Sequence, residues 1–260
     1  MGEAIISRRG GILKIAGQTE ETVRFGGTIN KYDPVYVKFD LTKLTNPASL
    51  PTGNGYGCAF APTGAYLAVA HSSSPYITIY KRNGDTFTKL TNPDVLPTGS
   101  GHGVAFDPTG TYLAVAHYNN PYITIYKRSG DTFTKLTDPA TLPTGYGGHG
   151  VAFDPTGLHL AVAHDSSPYI TIYKRNGDTF TKLSNPATLP TDTGYGVAFD
   201  PTGTYLAVAH GGSPYITIYP VTASCFKTNL MSDVSMADIA GYAKESGVAG
   251  DYKKIVAIFR

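Results

Sequence analysis

Between residues 40 and 219 short apolar runs alternate with turns rich in glycine, proline and asparagine, and the runs recur in the same order. Four kinds of run are present, best seen in one stretch. Thr86–Leu90 (TFTKL) is run a, Gly103–Phe106 (GVAF) run b, Tyr112–Ala116 (YLAVA) run c and Tyr122–Tyr126 (YITIY) run d. All are short and rich in Val, Ile, Tyr, Phe and Thr, the composition of strands. In run d, Ile123 and Ile125 alternate with Tyr122, Thr124 and Tyr126, the period of a pleated strand.

The order repeats at a fixed interval. LAVAH ends at His71, His117, His164 and His210, so the steps are 46, 47 and 46 residues, and PYITIY begins at Pro75, Pro121, Pro168 and Pro214. A period in the forties marks a repeat architecture. Four short antiparallel strands per repeat predict propeller blades, which bury their faces only by stacking around an axis. The expected fold is all-β: a four-bladed β-propeller over 40–219, each blade running a-b-c-d and the first opening at Leu41–Leu44. The ring is expected to close within one chain. The rival is an open array completed by a second copy.

The connections divide into two kinds. Asp107–Gly110 (DPTG) joins b to c as a type I turn, and Asn83-Gly84, Ser129-Gly130 or Asn176-Gly177 marks a hairpin from d to a. The a–b loop (Thr91–His102) is long, and the c–d tips differ between copies. Antiparallel order places the long and variable loops on one face, where repeat scaffolds bind their ligands.

Outside the repeat, Ile12–Ala16, Thr22–Phe25, Val35–Phe39, Ile239–Lys244 and Tyr252–Phe259 read as strands. Residues 1–39 and 220–260 are expected to build one small β docking domain from both chain ends, which usually lie close together.

Composition narrows the function classes. Among 260 residues only 15% are charged and the net charge is +2, which favours no polyanion. No apolar run reaches the length of a membrane span. Met1–Gly17 lacks a signal-peptide core, being broken at Ser7–Gly11. Cys58 and Cys225 are expected as free thiols.

Candidate binding residues follow from the repeat. His71, His117, His164 and His210 end run c in every copy. They are read as structural hydrogen-bond donors or acceptors, as part of a binding surface, or as a metal-binding ring, the first being preferred. Tyr56, His102, His149 and Tyr195 precede run b in a Gly-x-Gly frame and present rings able to pack the loops, the preferred reading, or to stack on a sugar. Tyr118, Asn119, Asn120 and Asp165 stand at variable c–d tips. The Lys-Arg pairs after run d are read as a solvated face, with anion binding as the sharper alternative. No catalytic motif is present: there is no G-x-S-x-G elbow, H-E-x-x-H helix or phosphate loop. No metal and no cofactor are expected.

VAFDPTGTYLAVAH followed by PYITIY resembles WD-type and related bacterial propeller repeats over residues 40–219. The chain has no tryptophan, so the hydrogen-bonded tetrad of that family does not carry over. Gly2–Gly11 (GEAIISRRGG), Asp33–Val37 (DPVYV) and Ile239–Phe259, with Gly241, Ala243, Ala249, Gly250 and Asp251, resemble proteins of tailed-bacteriophage structural modules, in particular small β domains of capsid-decoration and tail proteins. That resemblance implies a non-enzymatic virion protein of capsid or tail, made in the host cytoplasm, which displays its propeller to host glycans. A carbohydrate-binding lectin and a lactonase-like hydrolase are the alternatives. Expected partners are other virion proteins, a host glycan and further copies of the chain, a trimer foremost, with no nucleic acid and no membrane insertion.

Overall fold

A computed structural model describes residues 41–145 and 147–221, together with three short strands nearer the N-terminus. The chain forms two compact units, Met1–Asn46 and Pro47–Arg260. The first contains an antiparallel sheet of β1 (Ile5–Ile6), β2 (Ile12–Lys14) and β3 (Glu21–Thr22). Two of these overlap expected strands in shortened form. Val35–Phe39, Ile239–Lys244 and Tyr252–Phe259, and with them the docking domain drawn from both ends, lie outside the described residues.

Among its described residues the second unit has four antiparallel sheets, the blades of a β-propeller. Blade 1 is β4 (Gly55–Phe60), β5 (Tyr66–His71), β6 (Ile77–Asn83) and β7 (Thr86–Lys89). Blade 2 is β8 (Gly101–Phe106), β9 (Tyr112–His117), β10 (Ile123–Ser129) and β11 (Thr132–Lys135). Blade 3 is β12 (Gly148–Phe153), β13 (His159–His164), β14 (Ile170–Asn176) and β15 (Thr179–Lys182). Blade 4 is β16 (Gly194–Phe199), β17 (Tyr205–His210) and β18 (Ile216–Pro220).

The grouping differs from the a-b-c-d reading. Each run a pairs with the run d before it, as β7 does with β6 through Asn83↔Thr86, so a blade runs b-c-d-a. A two-residue hairpin holds d and a together, whereas the long loop is free to cross to the next blade. Blade 4 therefore has three strands among the described residues, and Leu41–Leu44 forms no strand. The hairpin loop is Gly84-Asp85 rather than Asn-Gly, with positive φ at Gly84 alone, the pattern of a type II′ turn. Run d also starts one residue late. Tyr76, Tyr122, Tyr169 and Tyr215 have φ of 65–67°, in the left-handed region, and stand just before the strand.

The first strands of successive blades lie side by side, β4 with β8, β8 with β12 and β12 with β16, so they line the axis. Close approach there explains the Gly-x-Gly frame. A Cβ on Gly57 would lie 2.5 Å from the His102 carbonyl oxygen, and one on Gly101 would lie 2.5 Å from that of Tyr76. No side chain fits either gap.

The core lies between blades rather than within them. Tyr66, Ala68 and Ile77 of blade 1 pack on Leu113, Val115 and Phe133 of blade 2. Tyr112, Ala114 and Ile123 of blade 2 pack on Leu160, Val162 and Phe180 of blade 3. Ala161 and Ile170 of blade 3 meet Leu206 and Val208 of blade 4. Strand alternation sends odd and even positions to opposite neighbours, so both faces of each inner blade are apolar.

Candidate functional site

At the loop-bearing end of the axis the second residue of each inner strand carries a ring. These rings touch in sequence. Tyr56 and His102 are stacked with centroids 4.9 Å apart, His102 and His149 meet edge-on at 5.3 Å, and His149 and Tyr195 at 5.7 Å. Tyr118 stands behind His102 at 6.5 Å. The backbone produces the row: the glycine on either side of each ring lets neighbouring strands approach until their side chains meet. The row ends in Tyr56 and Tyr195, which are 54% and 58% exposed.

Burial, with the neighbouring His149, lowers the His102 pKa below the ordinary imidazole value. Burial also lowers that of His149, with nearby Asp165 acting in the opposite direction. Both imidazoles are therefore neutral at pH 7, and the row presents an uncharged surface carrying ring nitrogens and phenol hydroxyls.

The loops around the row are tied to one another. Thr98 Oγ1 donates to the Asn120 carbonyl at 2.6 Å, and Asn119 Nδ2 donates to the Thr98 carbonyl at 3.1 Å. The a–b loop and the c–d tip thus meet on one face, and Asn119 spends its amide on holding them. The Asp165 carbonyl accepts from Thr193 Oγ1 at 3.3 Å, joining blades 3 and 4. Tyr118 is exposed.

His71, His117, His164 and His210 do not reach this surface. All four are buried, and their Nε2 atoms lie 2.9–3.0 Å from the hydroxyls of Thr78, Thr124, Thr171 and Thr217 on the adjacent strand. Burial lowers His117 and His164 to about 4. Among the described residues no group of three or more His, Cys, Asp or Glu is placed to hold a metal ion.

The opposite face carries a network that the sequence reading missed. Tyr66 and Tyr112 donate to Asp131 and Asp178 in the hairpin turn of the next blade, each at 2.6 Å. Lys81 and Lys127 pair with the same two carboxylates at 2.8 Å. The Arg128 guanidinium covers the Tyr66 ring, and Arg175 covers Tyr112. Lys81, Lys127, Arg128 and Arg175 thus clasp neighbouring blades. One signal for this was legible: the last blade has Pro220-Val221 in place of Lys-Arg, and the blade before it has His159 in place of the tyrosine. Asp107 is a turn residue, its carboxylate accepting from the Tyr112 amide at 2.7 Å and the Thr109 hydroxyl at 2.6 Å.

These features define a repeat-built β-propeller protein with an aromatic row at one end of its axis. No family model and no curated protein sequence matches the chain. Its fold is shared with solved propeller proteins. It is similar to a 6-phosphogluconolactonase candidate from Bacteroides uniformis, with a TM-score of 0.54 and 16% identity over 69% of this chain and 55% of that one. A second such candidate, from Bacteroides fragilis, gives 0.51 and 17% over 64% of this chain and 50% of that one. Kuenenia stuttgartiensis hydrazine synthase gives 0.52 and 13% over 69% of this chain and 49% of that one. This chain therefore spans about half the length of each of these structures.

Proposed function

We propose that this chain is a non-enzymatic binding propeller that takes a saccharide on its loop face, against Tyr56, His102, His149 and Tyr195. The unbroken contact of these four rings across four blades carries the reading. A pyranose offers an apolar C–H face to stack on an aromatic ring, with hydroxyls at its edge for the phenol and imidazole groups. Neutral imidazoles suit such an uncharged ligand. Carried on a virion, as the resemblance of the chain ends implies, the same face would meet host-cell glycans, and many copies on one particle would multiply weak affinities.

A glycan array probed with the full chain tests the reading, followed by titration of any glycan retained. His102→Ala with His149→Ala should weaken binding tenfold or more, while Lys127→Ala on the opposite face should leave it unchanged. An array without signal, or binding indifferent to the histidine pair, would overturn it. Peptides of this chain in purified phage particles would support the virion setting, and their absence would count against it. A lactone hydrolase is the second reading, favoured by the fold shared with the two lactonase candidates. Turnover of a lactone by the purified chain would establish it in place of binding.

A further inference from the structure

The array ends in two faces that have lost their neighbours. In blade 4, Tyr205, Ile216 and Ile218 are 54%, 49% and 58% exposed, whereas the equivalent Tyr112, Ile123 and Ile125 of blade 2 are 6%, 0% and 3% exposed. In blade 1, Cys58 is exposed and Phe87 half-buried, where Val151 and Phe180 of blade 3 are buried. The first strands of blades 1 and 4 do not lie against each other as successive pairs do. We propose that two copies of this chain join head to tail into one eight-bladed ring, blade 4 of each packing on blade 1 of the other. Leu41–Leu44 of the incoming copy then supplies the missing fourth strand.

Three independent features of the repeat point to a second copy as the occupant. Glycine is the first. In the interior, Gly57, Gly103 and Gly150 face the backbone of the next blade, and Gly101, Gly148 and Gly194 face a carbonyl of the previous one, with no room for a Cβ. Gly196 and Gly55 hold the same two positions at the ends of the array. There a Cβ would meet nothing nearer than Ala209 Cβ at 3.9 Å or Val69 Cγ1 at 3.7 Å. Glycine at these ends has a use only if another blade approaches.

The tyrosine clasp is the second. Tyr66 and Tyr112 each have an arginine of the following blade over the ring, at 4.8 and 4.6 Å. Where blade 4 lacks that arginine, blade 3 lacks the tyrosine and His159 bonds Asp154 of its own turn at 3.0 Å. Blade 4 nevertheless keeps Tyr205. Arg82 of a second copy is the residue that its ring would meet.

Segment 41–50 is the third. It reads LTKLTNPASL against FTKLTNPDVL at 87–96. Lys43 bonds Asn46 at 2.9 Å, as Lys89 bonds Asn92 at 2.9 Å. Tyr80 donates to the Ser49 carbonyl at 2.9 Å, as Tyr126 donates to that of Val95 at the same distance. In blade 1 the Leu90 amide completes the fourth strand by donating to the Ile79 carbonyl at 2.8 Å. Leu44 of the second copy is placed by the repeat to do the same to Ile218. Leu41, at the position of Phe87, is 81% exposed.

The number two follows from closure: four blades in each copy make eight in two. Propellers have four to eight blades, and a two-fold ring is the commonest closed assembly. The expected trimer would need twelve. Closure also joins Tyr195 of each copy to Tyr56 of the other, so the aromatic row becomes a ring. The dimer does not depend on the saccharide reading, and its test uses no ligand.

The test is the mass of the full chain in solution, by light scattering, with Cys58 alkylation followed by peptide mass spectrometry. Wild type should have twice the 27.6 kDa of one chain, with Cys58 protected. The double variant Gly55→Ala, Gly196→Ala should fall to one chain and expose Cys58, with its circular dichroism retained. A wild type of one chain, or of three, would overturn the proposal. So would a variant that stays dimeric, or a Cys58 that reacts freely in wild type.

Discussion

The hydroxyl of Tyr112 donates to Oδ1 of Asp178 at 2.6 Å, from the second strand of one blade to the hairpin turn of the next. Its ring lies under Arg175, whose guanidinium carbon is 4.6 Å from the ring centroid. Apolar packing between sheets tolerates sliding. A hydrogen bond of fixed length beside it does not, and so holds the spacing of the blades.

Removing that hydroxyl should cost little in packing and one hydrogen bond in stability. Tyr112→Phe is expected to destabilise by about 1 kcal/mol, a fall of roughly 2–4 °C in melting temperature for a chain of this size. Thermal denaturation followed by circular dichroism measures it. An unchanged midpoint would show that the clasp adds nothing beyond the ring contact.

Acid should loosen the blades through the strand-end histidines. Burial holds His117 and His164 at about 4, below the ordinary 6.5 of the unfolded chain. A lowered histidine pKa means that the unfolded state takes up the proton first. Stability is therefore complete above pH 6.5 and is lost as pH falls toward 4, by up to about 3 kcal/mol for each residue. Urea denaturation at pH 7.5, 5.5 and 4.5 should show midpoints falling in that order. A profile flat to pH 4.5 would contradict the burial argument.

The threonine opposite each histidine is the other half of that pair. Thr124→Val keeps the shape and removes the hydroxyl that pairs with His117 Nε2 at 2.9 Å. The buried nitrogen left behind should cost about 1–3 kcal/mol. Thr124→Ser, which restores the hydroxyl, should recover most of the loss in the same denaturation assay.

One glycine position can be tested at the interior of the array. Gly103→Ala drives a methyl against the His149 carbonyl oxygen of the neighbouring strand. Backbone cannot yield there without parting blades 2 and 3, so the melting temperature should drop by more than 5 °C, equivalent to about 2 kcal/mol. Gly196→Ala should leave the fold of the chain itself unaffected, because within the chain the same methyl would meet only Ala209 Cβ at 3.9 Å, an ordinary contact.

The sequence determined the strands and their kind. A repeated DPTG turn, a two-residue hairpin and runs of β-branched and aromatic residues specify local geometry, and local geometry is written in neighbouring residues. It also showed that the faces with long loops lie together, since antiparallel order alone dictates that. Spacing could not show which strands share a sheet. Twelve residues, Thr91–His102, separate run a from the run b after it, a span that permits either grouping, and only the tight hairpin binds run a to the run before. Nor could spacing show that His71 and its equivalents turn inward onto threonines while Tyr56, His102, His149 and Tyr195 turn outward into one row. Both sets recur with the same period. Which way they face depends on how closely the inner strands approach, and that distance is set by glycines meeting carbonyls of another blade. The clasp from Tyr112 to Asp178 was hidden for the same reason: its two ends are 66 residues apart, and only the stacking of blades brings them together.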